Sequence, residues 1–268
     1  MSLRIQNNVE AFNAHRRLVD TTQKMSKSME RLASGYRINR AADDAAGLAI
    51  SENLRGQIRG LGQAQRNTND AVSMVQVGEA ALVEVHSMLQ RIRELAVQYK
   101  NGSLSTADQS AIQSEVNQLA SEIDRIGTDS EFNNIKMLNS NSSRITFQVG
   151  SDDGQTIGIS TISLGQSISA TVYALTTTGN DISEIDAAIT AVSNQRAQFG
   201  AVQNRLEHTL ASAATYEENL TAAESRVRDA DMAKEMTAFT KWQILQQAGT
   251  AMLAQANQGN QSVLQLLG

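Results

Sequence analysis

Apolar residues recur at helical spacing along most of this chain. The longest run lies between residues 61 and 99, where successive apolar positions are alternately three and four residues apart, the spacing of a coiled coil. Its members are Leu61, Ala64, Thr68, Ala71, Val75, Gly78, Leu82, Val85, Leu89, Ile92, Ala96 and Tyr99. A second stripe of Met74, Ala81, Met88 and Leu95 lies on another face. The pattern predicts a long helix that packs against more than one neighbour.

Both ends of the chain carry similar apolar stripes. The N-terminal segment has overlapping stripes: Ile5, Phe12 and Val19 are seven residues apart, as are Leu18, Met25 and Leu32, and as are Met29 and Tyr36. The C-terminal stripe comprises Trp242, Leu245, Gly249, Met252, Ala256, Gly259, Val263 and Leu266. A lone helix cannot bury such a face, so we expect the terminal helices to pair and to bury further surface between subunits. The alternative is that the C-terminal face packs only against residues 5–36 of the same chain.

The middle of the chain contains shorter elements. NGS at 101–103 predicts a turn, and Ser105 with Asp108 predicts a capping box that opens a helix, for which Gly127 is the expected C-cap. Alternating apolar residues at 144–162 flank SDDG and predict a β-hairpin. Residues 163–182 are rich in Ser, Thr and Gly, which indicates irregular or short-strand structure.

A further long helix is expected to start near Ser183 or Asp186, and its apolar track continues to Val227. These elements together predict a mainly α fold, a long antiparallel coiled-coil or helical bundle with a small β-hairpin region. The absence of proline agrees with this prediction, because proline interrupts helix interiors.

Composition narrows the chemistry. The chain has no cysteine, and its three histidines, His15, His86 and His208, are far apart in sequence. We therefore expect no metal site, no cofactor and no catalytic role. The net charge of -5 without a basic patch argues against nucleic-acid binding. No apolar run reaches the length of a membrane span, and the N-terminal residues have no apolar core of a secretory signal, so neither a membrane association nor a cleaved signal peptide is expected.

The segment 39–67, NRAADDAAGLAISENLRGQIRGLGQAQRN, combines small residues with many charges. Small side chains permit close backbone approach. We expect the charges of Arg40, Asp43, Asp44 and Arg55 to form ion pairs. The alternative is that they are solvated charges at helix ends.

Several segments of this chain resemble those of bacterial flagellins. They are NRAADDAAGLAIS (39–51), LRGQIRGL (54–61), LQRIRELAVQ (89–98), EIDRI (122–126), EFN (131–133), GAVQNRLEHT (200–209), ENLTAAESRVRDADMAKEM (218–236), and ILQQAGTAMLAQANQ with VLQLL at the end. The similarity covers about 1–140 and 185–268. Only a short middle segment separates these two arms, so the chain resembles a minimal flagellin without large outer domains.

The resemblance implies two domains. Residues 1–45 with 226–268 would form an inner coiled-coil domain that lines the filament channel. Residues 46–225 would form the middle helical domain, including the hairpin near 144–162. Residues 39–60 would be the connector, and the ion pairs expected of its charges would lie between subunits or between domains. Filament-core packing would then involve Ile5, Phe12, Val19, Met25, Met29, Leu32, Trp242, Leu245, Met252, Val263 and Leu266.

The resemblance also implies a function. The chain would be a structural subunit that self-assembles into the helical flagellar filament used for motility. It would be exported to the extracellular flagellum by the flagellar type III apparatus without a cleaved signal peptide. Its partners would be many copies of itself, a flagellar export chaperone, and the cap and hook-associated proteins. The alternatives are a hook–filament junction protein and a soluble coiled-coil adapter.

Two further expectations come from the same resemblance. Arg91, Leu95 and Glu115 hold the positions through which many flagellins contact the flagellin-sensing Toll-like receptor, and the alternative role of these residues is filament contact and core packing. The Ser/Thr cluster at 160–178 matches a region that carries O-linked sugars in some flagellins, with an unmodified loop as the alternative.

Overall fold

A computed structural model describes residues 8–139, 144–160, 175–176, 179 and 181–267; within this last range, the side chains from 259 onward are not described. The helices are α1 (Val9–Ser34), α2 (Ala45–Tyr99), α3 (Thr106–Asp129), α4 (Asp181–Arg228) and α5 (Met232–Leu267). The strands are β1 (Glu131–Phe132), β2 (Ile135–Lys136), β3 (Arg144–Gln148) and β4 (Thr156–Ser160). The predicted fold class, mainly helical with a small antiparallel β region, is confirmed.

The helix ends are set by recognisable caps. The side chain of Asn8 accepts a hydrogen bond from the Ala11 amide at the start of α1, and Gly35 ends the helix with a φ of 74°. The capping box predicted at Ser105 and Asp108 is present at the start of α3. The prediction that Gly127 ends α3 is wrong, because the helix continues to Asp129 and is capped by Ser130.

Two long helices begin earlier than the apolar pattern predicts. Helix α2 starts at Ala45 rather than Leu61, and α4 starts at Asp181 rather than Ser183. In α2, the side chain of Asp44 accepts a hydrogen bond from the Gly47 amide at 2.9 Å and so serves as an N-cap. A Cβ atom at Gly47 would lie 2.6 Å from Asp44 Oδ2 and 2.8 Å from Ile38 Cδ1, so a larger residue here would displace both side chains.

Two antiparallel hairpins interrupt the helices. Strands β3 and β4 pair in register from Arg144 with Ser160 to Gln148 with Thr156, which confirms the predicted hairpin. The β1–β2 hairpin was not predicted. Its turn residues, Asn133 and Asn134, both have positive φ angles, of 49° and 63°, as a type I′ turn requires. Most of the Ser/Thr cluster at 160–178 lies outside the described residues.

The chain divides into two compact units. Unit 1 comprises Met1–Gly56 and Leu220–Gly268, and unit 2 comprises Gln57–Asn219. Unit 2 contains a continuous apolar core to which α2, α3, α4 and both hairpins contribute. From Leu61 to Ala96, every member of the predicted α2 stripe is buried, and Ala71, Val75, Leu82, Val85, Leu89, Ile92 and Ala96 belong to this core.

Within unit 2, α2 and α4 run antiparallel. Polar pairs between them join Gln65 to Glu217, Glu79 to Arg196, and Arg93 to Asp186, so positions rise along one helix as they fall along the other. The helices approach closely at Gly78, where an added Cβ atom would lie 2.7 Å from the Phe199 ring. Gly78 therefore makes room for a large buried side chain of the facing helix.

Candidate assembly surface

Helices α1 and α5 form an antiparallel pair within unit 1. The Asn8 side chain donates a hydrogen bond to the Ala256 carbonyl at 3.0 Å, and Arg31 lies 3.6 Å from Glu235 at the other end. Between these contacts, a Cβ atom at Gly249 would lie 3.2 Å from Leu18 Cδ1. The terminal stripes thus meet within one chain, although this pairing covers only part of them.

A groove of about 940 Å³ runs beside this helix pair. Its wall includes Leu18 from α1, and Trp242, Leu245 and Met252 from α5. Charged side chains of both signs, among them Arg17 and Asp20, also line it, so the groove combines apolar and charged side chains.

The predicted filament-core residues lie in this unit with different exposures. Phe12 is 70% exposed and Met252 is 66% exposed, and the side chains of Val19, Met29 and Leu245 are also exposed. Met25, Leu32 and Trp242 are half-buried. Ile5 and the side chains of Val263 and Leu266 lie outside the described residues. The predicted stripe is therefore on the molecule's surface over much of its described length.

Trp242 is the only tryptophan of the chain and lies beside two ammonium groups. The Lys24 Nζ atom lies 5.2 Å from the ring centroid, and the Lys241 Nζ atom lies 5.1 Å from it. Lys24 also pairs with Asp20 at 2.9 Å. The two distances from Nζ to the ring centroid are typical of cation–π contacts. The Trp242 ring of α5 thus contacts one lysine of α1 and one lysine of its own helix.

The predicted connector charges make contacts inside unit 1. Asp43 pairs with Lys27 at 2.6 Å and accepts hydrogen bonds from the amides of Asn39 and Arg40. The hydrogen bond from Lys27 lowers the pKa of Asp43, and the two amides add to this effect. The Asp43 carboxylate therefore joins the backbone of this connector to Lys27 of α1.

The remaining charges of the connector have different roles. Arg40 pairs with Glu30 at 3.0 Å, and Arg55 pairs with Glu52 at 3.1 Å. Asp44 caps α2, because its carboxylate accepts a hydrogen bond from the Gly47 amide in the first helical turn, and the ion pair expected of Asp44 from the sequence stays a prediction.

Sequence reasoning missed a second connection in unit 1. Arg228 pairs with Glu52 at 2.7 Å, and its guanidinium lies 4.8 Å from the Tyr36 ring centroid. This hydrogen bond lowers the pKa of Glu52. The backbone joins the same segments, since the Arg37 amide donates to the Arg228 carbonyl at 2.7 Å. The sequence signal was the basic residues that end α4, although their partner is 176 positions away.

The predicted receptor-contact residues separate into surface and core. Arg91 forms hydrogen bonds with Glu115 at 2.9 and 3.1 Å, and both side chains are exposed. The hydrogen bonds that Arg91 donates to Glu115 and Glu94 raise the pKa of Arg91. Leu95 is only 2% exposed, which corrects the expectation that its side chain is available for contact. It lies on the face of α2 that packs into the core of unit 2.

Neither a metal site nor a membrane-spanning helix is found in the part of the chain that the structure describes. No group of three or more His, Cys, Asp or Glu side chains there is arranged to hold a metal ion. Among the same residues, no helix is both long and apolar enough to cross a membrane.

Comparison with known families gives two matches that together cover most of the chain. Residues 5–143 match the bacterial flagellin N-terminal helical region, and residues 182–267 match the bacterial flagellin C-terminal helical region. The segment between these two matches corresponds to the short middle noted in the sequence.

Similar proteins cover the chain almost completely. A flagellin of Halalkalibacterium halodurans is 49% identical over 98% of this chain and 99% of its own length. A flagellin of Bacillus subtilis is 45% identical over 99% of this chain and all of its own length. The flagellar filament 33 kDa core protein of Treponema phagedenis is 46% identical, with 98% and 99% covered.

Solved structures show the same relationship. The crystal structure of Bacillus cereus flagellin has a TM-score of 0.51 and 32% identity, covering 59% of this chain and 94% of that one. The structure of a putative flagellar hook-associated protein from Vibrio parahaemolyticus has a TM-score of 0.54 but 16% identity, covering 70% of this chain and all of that one. The second likeness concerns the fold alone.

Proposed function

Because the chain belongs to the bacterial flagellin family and is a structural subunit of the flagellar filament, we propose that unit 1 is the part that joins it to its neighbours. The filament is a polymer of this subunit and forms part of the extracellular flagellum. In this proposal, residues 1–45 and 226–268 line the filament channel, and residues 46–225 form the next layer outward.

One observation carries the proposal, the exposure of large apolar side chains in unit 1. Ile38 is the one large apolar side chain that is fully buried in the described part of this unit. Its exposed counterparts are Val9, Phe12, Val19, Met29, Tyr36, Ile50, Met232, Met236, Ile244, Leu245 and Met252. A surface this rich in apolar side chains marks an interaction site.

Burial of this surface supplies the driving force for assembly. Fully burying one such side chain stabilises by about 1.5–3 kcal/mol. Several of them together offset the conformational entropy that is lost when a helix pair is fixed against a neighbouring subunit. Folding of unit 1 and polymerisation are therefore coupled in this proposal.

The connector charges provide alignment in the same proposal. Arg40, Asp43 and Arg55 already have partners within the chain, and the side chains of Arg40 and Arg55 remain exposed to a neighbouring copy. Small energies are expected from such surface pairs, so their role is to select one register over another.

Export requires that the same apolar surface be covered before assembly. We infer that a flagellar export chaperone binds the α5 side of unit 1, and that the chain travels through the type III apparatus without a cleaved signal. The cap and hook-associated proteins then meet the subunit at the filament ends. The support for this is the exposure of Ile244, Leu245 and Met252 on α5.

The surface of α2 and α3 offers a separate contact. Arg91, Glu94 and Glu115 form an exposed charged patch, and we infer that the flagellin-sensing Toll-like receptor binds the monomer there. Leu95 supports this patch from the core. An Arg91→Ala monomer should activate receptor-reporter cells less than the unchanged monomer, and equal activation would contradict the assignment.

Regrowth of filaments from seeds tests the main proposal. Purified chain is dissociated, returned to neutral pH with filament seeds, and observed by electron microscopy. Phe12→Ser should block growth strongly, whereas Val97→Ser, an exposed apolar position of unit 2, should have the smaller effect. Equal growth of both variants, or stronger inhibition by Val97→Ser, would contradict the assignment of unit 1.

A further inference from the structure

The methionines that the structure describes divide between the two units by exposure. Met29, Met232, Met236 and Met252 are exposed by 54%, 48%, 52% and 66%, and all four lie in unit 1. In unit 2, Met74 and Met137 are exposed by only 3% and 2%. Met25 and Met88 are half-buried. The accessible thioethers thus lie on the surface that the proposed function assigns to assembly.

Their positions place them along both ends of the α1–α5 pair. The register set by Arg31 with Glu235 and Lys24 with Trp242 brings position 29 level with position 236. Met232 precedes Met236 by one helical turn. At the other end of the pair, Met252 lines the groove beside Trp242. Exposed methionines therefore occur at both ends of this surface.

Methionine is unusual among apolar residues because its character can be reversed chemically. Hydrogen peroxide transfers one oxygen atom to the thioether sulfur, giving methionine sulfoxide and one molecule of water. The sulfur is oxidised by two electrons and the peroxide is reduced by two. The product is polar and chiral, so it is poorly accommodated in an apolar interface, and sulfoxide reductases can restore the thioether.

We propose that Met29, Met232, Met236 and Met252 form a peroxide-sensitive site whose oxidation prevents the subunit from joining a filament. This inference rests on the proposed role of unit 1 in assembly. Burial of a sulfoxide without a hydrogen-bond partner is unfavourable. Oxidised subunits therefore dissociate from the growing end of the filament faster than unoxidised subunits do. Subunits already inside a filament are protected, because the same surface is then covered.

The rates of oxidation provide the first test. Monomer and assembled filament are treated with hydrogen peroxide, and each methionine peptide is followed by mass spectrometry. We expect the four exposed methionines of the monomer to oxidise about ten-fold or more faster than Met74 and Met137, and to be slowed on assembly. Equal rates for the exposed and buried groups, or no protection in the filament, would overturn the proposal.

Filament growth provides the second test. Oxidised monomer should fail to extend seeds, and treatment with methionine sulfoxide reductases of both stereospecificities should restore growth. A variant with Met29→Leu, Met232→Leu, Met236→Leu and Met252→Leu should grow normally after peroxide treatment, since leucine keeps the volume without the sulfur. The matched control, Met74→Leu with Met137→Leu, should remain sensitive.

The outcomes separate this inference from the proposed function. Failure of the untreated, unsubstituted chain to extend seeds would contradict the proposed function itself. Normal growth with fully oxidised exposed methionines would overturn the inference alone, as would a quadruple variant that remains as sensitive as the unsubstituted chain. If the quadruple variant grows poorly even before peroxide treatment, the unsubstituted chain is used instead. Its growth must then be lost at the same rate as the four exposed methionines are oxidised, and different rates overturn the inference.

Discussion

Unit 2 and unit 1 treat their apolar side chains in opposite ways. In unit 2, residues such as Leu82, Leu89 and Ile123 are fully buried in a shared core. In unit 1, Phe12, Leu245 and Met252 sit on stripes of the same helical spacing but remain exposed. The same kind of sequence pattern therefore produces a self-sufficient core in one region and an uncovered surface in the other.

This difference indicates two kinds of stability. Unit 2 gains its stability from burial within one chain, so it is expected to fold as a monomer. Unit 1 is stabilised by helix capping, by ion pairs at its connector and by the contact between α1 and α5, while many of its large apolar side chains stay exposed. Trp242 is the only tryptophan, so its fluorescence reports on unit 1 separately from unit 2.

The largest expected effect comes from removing most of α5. Deletion of residues 245–268 takes away one side of the proposed assembly surface and leaves the core of unit 2 unchanged. We expect a chain that still unfolds cooperatively through unit 2 but does not extend filament seeds, as measured by calorimetry and electron microscopy. Seeded growth of this chain at the rate of the full chain would contradict the comparison.

Matched leucine substitutions should separate the two units. Leu89→Ala in unit 2 removes a fully buried side chain and should lower the free energy of unfolding by about 2–5 kcal/mol. Leu245→Ala in unit 1 removes an exposed side chain and should change monomer stability by about 0.5 kcal/mol or less, while it slows filament growth. Urea unfolding and seeded growth measure the two effects. The comparison fails if Leu245→Ala destabilises the monomer as much as Leu89→Ala.

Two neighbouring glycine substitutions probe how tightly unit 2 is packed. At Gly78 an added Cβ atom would lie 2.7 Å from the Phe199 ring, so Gly78→Ala should destabilise by about 1–3 kcal/mol. Gly200 has no atom within 4 Å of its added Cβ and lies inside α4, so Gly200→Ala should stabilise by about 0.5–1 kcal/mol. Thermal unfolding followed by circular dichroism measures both. The same sign of change for both variants would show that helix propensity, rather than contact with Phe199, dominates at these positions.

Much of unit 2 could be predicted from its sequence, because stripes of Leu, Ile and Val define which face of each helix is buried. The start of α2 could not be predicted, because small and charged residues alternate over residues 45–60 and the apolar stripe of α2 does not continue there. The β1–β2 hairpin is short, and its one local signal is the Asn133–Asn134 pair at two positions of positive φ. Such a signal is easily missed when neither flanking strand exceeds two residues.

Periodicity cannot distinguish the two units, because an apolar stripe is the same whether its partner is in the same chain or in another. The positions of Phe12 and Leu245 on helices could therefore be predicted, whereas their exposure required the structure. The connector charges show a related limit. The sequence shows that Asp43 and Asp44 are adjacent acids. Only the backbone geometry shows that Asp43 forms an ion pair and that Asp44 caps a helix.

The smallest expected effect concerns the connector of unit 1 and its dependence on pH. Since the pKa of Asp43 is lowered below its ordinary value of 3.8, its carboxylate stabilises the folded state above that value and loses this effect as the pH falls below it. Asp43→Asn should therefore destabilise unit 1 at neutral pH by about 1 kcal/mol or less, and the difference from the unsubstituted chain should vanish in stronger acid. Trp242 fluorescence during urea unfolding at several pH values measures this difference in the free energy of unfolding.

Lys27→Gln should give the same dependence of stability on pH. Adding Lys27→Gln to Asp43→Asn should have little further effect, because the two side chains share one ion pair. A fully additive double variant, or a difference that persists at low pH, would show that Asp43 acts through its backbone hydrogen bonds and not through Lys27.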